Sequence, residues 1–296
     1  MAKREAISYI KGVLCFSYIV ANIFFWLVPL VFLTFLKLLI PAEKFQKLLS
    51  APMAFIYRMT VWCDDLLLFH LMGIKMEVEG APATYPEKFY LITANHQSWS
   101  DIFILQHVLN WRAPVPKFLV KKELMYLPVV NIICLAYDYP LLQRGSMKGA
   151  VSPKGRFARD TQSLEKAFSR FIRYPASVIN LVEGTRFTKE KARVQNSPYQ
   201  HLLNPRAGGL AIIFSIPGVN VRTLLDATIV YDCERPTFWN FLCGKCGRVV
   251  VKVKEYGLET LSEGRDFDSV AKWINSIWVK KDLEIGRIQR ELAQHG

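Results

Sequence analysis

One histidine and one aspartate stand out by their spacing. In the segment Asn95-His96-Gln97-Ser98-Trp99-Ser100-Asp101, Ser98 is placed to cap a helix, and Asp101 follows three residues later, as in a capping box. That cap puts Asp101 in the first helical turn with His96 just upstream, so the carboxylate folds back towards the imidazole. A carboxylate on one ring nitrogen fixes the tautomer and raises the basicity of the other nitrogen. The other nitrogen is then a general base for a hydroxyl. No serine or cysteine nucleophile is needed where the substrate brings its own alcohol. The plainer reading of His96 is a side chain that only caps the turn.

A second string, Glu183-Gly184-Thr185-Arg186-Phe187-Thr188, follows an apolar run that reads as a strand. Gly184 permits a tight turn. Arg186 is suited to hold a phosphate bidentately, and Thr185 adds a donor. Glu183 accepts only when ionised, so it is placed either to take a substrate hydroxyl or to orient Arg186. A structural ion pair at a strand end is the alternative. Between the two strings lie Lys117, Lys121, Lys122, Arg144, Lys148, Lys154, Arg156 and Arg159. Such runs are usually solvated faces, but this one falls between the two motifs, which favours an anion-binding floor.

Around these strings the chain alternates strand and helix. Strands are expected near Ile74–Val78, Phe89–Thr93, Phe118–Val120, Cys134–Leu142, Ser177–Val182, Leu224–Tyr231 and Arg248–Tyr256. Helices are expected at Asp101–Leu109, Phe157–Tyr174, Arg206–Phe214 and from Val270 onward. Gly145–Gly155 and Thr188–Ser197 read as basic and polar loops. The alternation predicts one α/β domain with a mixed, largely parallel sheet. His96, Arg144 and Glu183 all fall just after expected strands, where functional loops of such sheets gather.

The N-terminus differs. Gly12–Leu36 carries no charge. Its 25 or so residues make a helix of about 37 Å, enough for a hydrocarbon core of about 30 Å. Pro29 leaves a second option, two short helices dipping into one leaflet. In Ala42–Gly73, Phe55, Met59, Trp62, Leu66 and Phe69 recur on one helical face, either to lie on a membrane or to pack on the body. The expected division is therefore an anchor at 1–73, with an apolar helix at 12–36 and an amphipathic one at 42–72, and a catalytic domain at 74–296.

Composition limits the partners. With 51% hydrophobic residues the chain is not disordered, and 38 Lys+Arg against 25 Asp+Glu leave +13, which asks for an anionic partner. The apolar N-terminus favours lipid phosphate over nucleic acid. The six scattered cysteines show no framework of a small secreted domain and are expected to be reduced. Cys243-Gly244-Lys245-Cys246 has zinc-knuckle spacing, but no second pair follows, and no metal is expected.

Asn95-His96…Asp101 together with Glu183-Gly184-Thr185-Arg186 resembles the glycerolipid acyltransferases, the 1-acylglycerol-3-phosphate (PlsC-like) enzymes and their lysophospholipid relatives. The resemblance spans about residues 75–280. Val120-Lys121-Lys122-Glu123-Leu124, ending at Pro128, is similar to the family's lysine block, and Tyr139–Arg144 to the block whose arginine binds glycerol phosphate. Pro205–Gly209, Ala227–Tyr231 and the C-terminal Trp273, Trp278 and Lys281-Asp282 resemble the branch nearest bacterial YihG-like proteins. Leu141-Leu142-Gln143 before Arg144, and Asn131 after the proline block, depart from the pattern.

The resemblance implies acyl transfer from acyl-CoA or acyl carrier protein to the free hydroxyl of a lysophospholipid, foremost 1-acylglycerol-3-phosphate. His96 would be the base and Asp101 its orienting partner. Lys121, Arg144 and Arg186 would hold the phosphate, with Glu183, Gly184 and Thr185 placing the glycerol. No cofactor is implied beyond the acyl donor. The implied setting is the bacterial inner membrane, facing the cytoplasm. The rival readings are an acyl-thioester hydrolase, acylation of another lysophospholipid, and a non-enzymatic protein that binds anionic lipid.

Overall fold

The structure is a computed structural model and describes residues 2–80, 89–142, 164–165, 168, 176–216, 221, 223–261 and 264–294. A sheet of six strands runs β1 (Lys75–Glu79), β8 (Arg248–Gly257), β7 (Thr223–Tyr231), β2 (Tyr90–Ala94), β6 (Ser177–Asn180), β3 (Pro116–Phe118) in space. β7, β2, β6 and β3 are parallel, and β8 runs antiparallel to β7 with β1 parallel to β8. A second, two-stranded ladder joins β4 (Val120–Lys121) to β5 (Leu141–Leu142).

β2 and β6 are buried along their whole length, as parallel strands covered on both faces must be. Their side chains alternate between two cores. Leu91 and Val178 face α6 (Gly208–Ser215) and α8 (Phe267–Gln294), among Leu210, Trp273 and Trp278. Ile92 and Ile179 face α3 (Ser100–Leu109), among Ile104 and Leu105. Leu164 and Phe168 join the first core, and apart from these two and Glu165 the expected helix Phe157–Tyr174, including Phe171, lies outside the described residues. α8 is tied to β7 by the buried Lys281, whose ammonium lies 2.8 Å from Asp226 Oδ1 and donates to Ala227 O at 2.8 Å.

The N-terminal apolar segment forms one continuous helix, α1 (Ala2–Leu39), through Pro29. It packs with Cys15, Ile19, Asn22, Leu30 and Thr34 inward and leaves Leu14, Phe25, Phe32 and Phe35 exposed. α2 (Glu43–Asp65) follows and passes into a π-helical turn at Leu66–Leu71. Its inward face is Leu49, Met53, Ile56, Tyr57 and Val61, whereas Phe55, Trp62 and Leu66 from the expected stripe point outward. The helix is apolar on two sides, and the periodicity of one side hid the other.

Three expectations are corrected. Pro128–Tyr137 within and before the expected strand Cys134–Leu142 is a helix, α4, with Pro128 at its start and Asp138 ending it at φ 54°. A short apolar run does not by periodicity alone separate a buried strand from a helix, and the proline at the first helical position was the better signal. The polar loop Thr188–Ser197 contains α5 (Lys189–Val194), capped by the Thr188 hydroxyl, which accepts from Lys191 N–H at 3.2 Å.

The third correction concerns the cysteines. Cys233 and Cys246 form a disulfide with Cα atoms 5.1 Å apart. The β7–β8 register, which sets Tyr231 opposite Val249, brings the ends of the connection together, and thirteen residues of sequence separation concealed it. In a reducing compartment this pair would be held as two thiols. Cys15, Cys63, Cys134 and Cys243 remain free.

Candidate active site

Because β2, β6, β3 and β7 are parallel, the loops after them open at one edge of the sheet. β2 pairs with β7 up to Ala94 and Ala227. β7 runs on to Tyr231, overhanging the end of β2. Asn95 bridges the gap: its Nδ2 donates to Ile229 O at 2.9 Å and its Oδ1 accepts from Ile229 N–H at 2.8 Å. The amide thus stands in for one more ladder pair and sets where His96 leaves the sheet.

His96 Nδ1 lies 2.8 Å from Asp101 Oδ2. The same oxygen accepts from the backbone N–H of Gln97 at 2.7 Å and of Ser98 at 2.9 Å. Asp101 Oδ1 accepts from the Tyr231 hydroxyl at 2.6 Å. Asp101 is fully buried and His96 keeps 12% of its side-chain surface. Engagement of Nδ1 leaves Nε2 as the nitrogen available to a substrate. The capping box forms by half: Asp101 takes the Ser98 N–H, but Ser98 Oγ accepts from Ser100 N–H at 3.2 Å, and the helix starts at Ser100 with Trp99, not Ser98, in the capping position.

Gly184, at φ 70°, turns the chain after β6. Glu183 Oε1 accepts from His96 N–H and Oε2 from Leu203 N–H, both at 3.1 Å. Phe187 N–H donates to His96 O at 2.7 Å. The 183–187 turn therefore grips the His96 backbone from both sides. The Glu183 side chain is fully buried. Burial pushes its carboxyl up to about 8, while the amides of His96 and Leu203 and the Lys281 ammonium pull it down and Asp101 raises it. Both Glu183 oxygens are engaged by backbone N–H groups and the side chain is buried, an arrangement that holds the turn carrying Arg186.

Arg186 is exposed and its guanidinium stacks over the Trp99 ring at 5.3 Å, a cation–π contact. Lys191 Nζ donates to Thr185 Oγ1 and to Arg186 O, each at 2.9 Å. Thr185, Arg186 and Lys191 so form a polar, cationic cluster joined through Glu183 and Phe187 to the His96 loop. Lys121 is exposed at the end of β4, in register with Leu142. Arg144 lies outside the described residues, as do Lys148, Lys154, Arg156 and Arg159. Three residues of this arrangement were not singled out from sequence: Asn95 as a ladder surrogate, Lys191, and Tyr231. Lys191 had a signal in Thr188, three residues upstream, as a helix cap. Among the described residues no cluster of three His, Cys, Asp or Glu side chains is placed to hold a metal, and Cys246 of the Cys-x-x-Cys string is in the disulfide.

Residues 75–225 match the family model described as Acyltransferase, a span that holds both motifs and half of the chain. The chain belongs to the acyltransferase family. Among curated proteins this acyltransferase is 25% identical over 216 residues to 1-acyl-sn-glycerol-3-phosphate acyltransferase 3 of Arabidopsis thaliana, covering 66% of its own length and 52% of the relative. It is 26% identical over 255 residues to 1-acyl-sn-glycerol-3-phosphate acyltransferase delta of Bos taurus, covering 78% and 61%. The chain spans about half the length of these relatives. The solved structure of PlsC, a 1-acyl-sn-glycerophosphate acyltransferase from Thermotoga maritima, superposes with a TM-score of 0.57 at 17% identity, covering 98% of this chain and 97% of that one. That likeness extends over the N-terminal helices as well as the sheet.

Proposed function

We propose that this acyltransferase moves a fatty acyl group from a thioester of coenzyme A or acyl carrier protein to the free hydroxyl of a lysophospholipid, foremost 1-acylglycerol-3-phosphate. The observation that carries the reading is the dyad: His96 Nδ1 held 2.8 Å from a fully buried Asp101. In the proposed step Nε2 takes the hydroxyl proton as the oxygen attacks the thioester carbonyl. The C–O bond forms, the C–S bond breaks, and the imidazolium returns the proton to the departing thiolate. A positioned base is worth about 10²- to 10⁴-fold. Arg186, Thr185, Lys121 and Arg144 would hold the acceptor phosphate, and Glu183 would hold the turn that carries Arg186 against the His96 loop.

The acceptor assignment predicts a split in the kinetics. Arg186→Ala is expected to raise the KM for 1-acylglycerol-3-phosphate by about tenfold, the loss of a charge-assisted contact to phosphate, with the donor KM unchanged. Steady-state kinetics with each substrate varied in turn reads both constants, and an unmoved acceptor KM with unmoved turnover would remove Arg186 from the phosphate site.

We also propose that α1 and α2 lie in the plane of one leaflet, on the cytoplasmic side where thioester donors occur. α1 is long and apolar enough to cross a bilayer. It is tied to the catalytic body near both ends, however. Ser8 Oγ donates to Cys243 O at 2.7 Å, and Lys37 Nζ donates to Ala136 O at 2.7 Å and pairs with Asp138 at 2.6 Å. These anchors are about 43 Å apart at 1.5 Å per residue, so a spanning α1 would draw the polar body into hydrocarbon. Spin labels at positions 14, 25 and 35 of α1, in vesicles, are expected to report similar shallow depths. A depth profile with the centre deep and the ends at opposite interfaces would contradict the in-plane placement.

A further inference from the structure

We propose that Tyr231 is a positioning residue of the dyad: its phenol donates to the far oxygen of Asp101 and thereby sets how strongly Asp101 draws a proton onto His96. This rests on the acyl-transfer reading for its rate consequence, though not for its effect on the histidine.

The two oxygens of Asp101 have different partners. Oδ2 takes His96 Nδ1, Gln97 N–H and Ser98 N–H, whereas Oδ1 takes the Tyr231 hydroxyl. The O···O distance of 2.6 Å is in the range of a hydroxyl donating to a charged carboxylate. Both groups are buried, Tyr231 at 4% and Asp101 at 0% exposure, so water is not at hand to replace either. A donor on Oδ1 spreads the carboxylate charge and weakens its hold on an imidazolium across the other oxygen. It also fixes the carboxylate plane, because a flip would exchange the oxygens between unlike partners.

The phenol is held in its donating form. Burial, the Asp101 charge and the hydrogen bond to Asp101 push it well above the usual tyrosine range, against a smaller opposing contribution from Ser100. Its placement is determined by the sheet. β7 overhangs β2, Asn95 locks the overhang at Ile229, and the Tyr231 ring meets Phe241 of α7 (Phe238–Leu242) edge-on at 6.2 Å. The Cys233–Cys246 disulfide closes the connection that begins just after it. Other charged groups facing the dyad are Glu183 from the end of β6, which interacts with Asp101 and takes the His96 N–H, Arg186 stacked on Trp99 of the same loop, and Lys281 of α8 acting on Glu183. None of them donates to Oδ1.

Tyr231→Phe keeps the ring against Phe241 and removes only the donor. In the full chain it is expected to lower kcat about tenfold, to leave both KM values unchanged, and to move the low-pH limb of the kcat/KM profile up by roughly one pH unit, the scale of one charge-assisted hydrogen bond. The direction follows from the chemistry: a carboxylate with one donor fewer holds the proton on the imidazole more firmly. The same upward displacement is expected in the titration of the His96 ring signals by NMR, assigned by their disappearance in His96→Ala. That measurement needs no turnover. An inactive wild type would therefore overturn the acyl-transfer reading while the NMR titration still decides the role of Tyr231. An unmoved His96 titration overturns the proposal, and so does a lowered melting temperature with the titration and the pH limb unmoved, which would assign the tyrosine to packing alone.

Discussion

His96→Ala is expected to abolish acyl transfer and to leave the protein folded. The two expectations separate because the backbone and the side chain of His96 have separate partners. Its N–H is taken by Glu183 Oε1 and its carbonyl by Phe187 N–H, and alanine keeps both. Asp101 loses the imidazole but retains Gln97 N–H, Ser98 N–H and the Tyr231 hydroxyl, so no buried charge is stranded. What the variant removes is the proposed base, with an expected loss of about 10²- to 10⁴-fold or more in turnover. Turnover beside the thermal unfolding midpoint of the same preparation checks both halves. Near-wild-type turnover in this variant would remove His96 from the chemistry.

Asp101→Asn is expected to lower turnover by about 10³- to 10⁴-fold, the scale found when an orienting carboxylate is replaced by its amide in a histidine triad. Asp101 uses both oxygens as acceptors, Oδ2 for three nitrogens and Oδ1 for a hydroxyl. An amide has one oxygen. With that oxygen towards Gln97 and Ser98, the amide nitrogen faces Tyr231, whose hydroxyl must turn round to accept. With the amide reversed, its N–H groups face two backbone donors and His96 Nδ1. Either way the charge that supports an imidazolium is gone while the shape is kept. Steady-state kinetics on the folded variant reads the loss, and turnover within a few fold of wild type would show that Asp101 is not the partner on which the histidine depends.

Much of this arrangement was readable in the residues because it is local. His96 and Asp101 belong to one turn and one helix start, so spacing alone placed the carboxylate beside the ring. The strands β2, β6, β7 and β8 were readable as apolar runs bounded by polar strings, and the α/β class followed from their alternation with helices. What was not readable depends on long-range register. Tyr231 reaches Asp101 only because β7 lies beside β2 and overhangs it. Cys233 meets Cys246 only because β7 and β8 pair antiparallel. Glu183 carried a polar side chain in a polar string, and nothing local showed that its two oxygens would serve the amides of His96 and Leu203 rather than a ligand.

The outward stripe of α2 was readable as a helical face, but its surroundings were not. Phe55 and Trp62 repeat with the period of a packed face, yet the body is met by Met53, Ile56, Tyr57 and Val61. A helix with two apolar faces has two kinds of neighbour, and period reports only that a face exists. α4 was missed for a related reason: the apolar and aromatic residues of Cys134–Leu142 favour strand by residue type, and Pro128 at the start and the left-handed turn at Asp138 mark Pro128–Tyr137 as helix.

The central claim is tested most directly by the product of the wild-type chain. The protein, solubilised in detergent, is offered labelled acyl-CoA and acyl carrier protein thioesters, each with 1-acylglycerol-3-phosphate and with lysophospholipids of neutral head group. The account predicts diacyl product, formed fastest from the acceptor with the phosphate monoester. Free fatty acid as the sole product, at a rate indifferent to every lysolipid, or no product from folded protein with any pair, would contradict it.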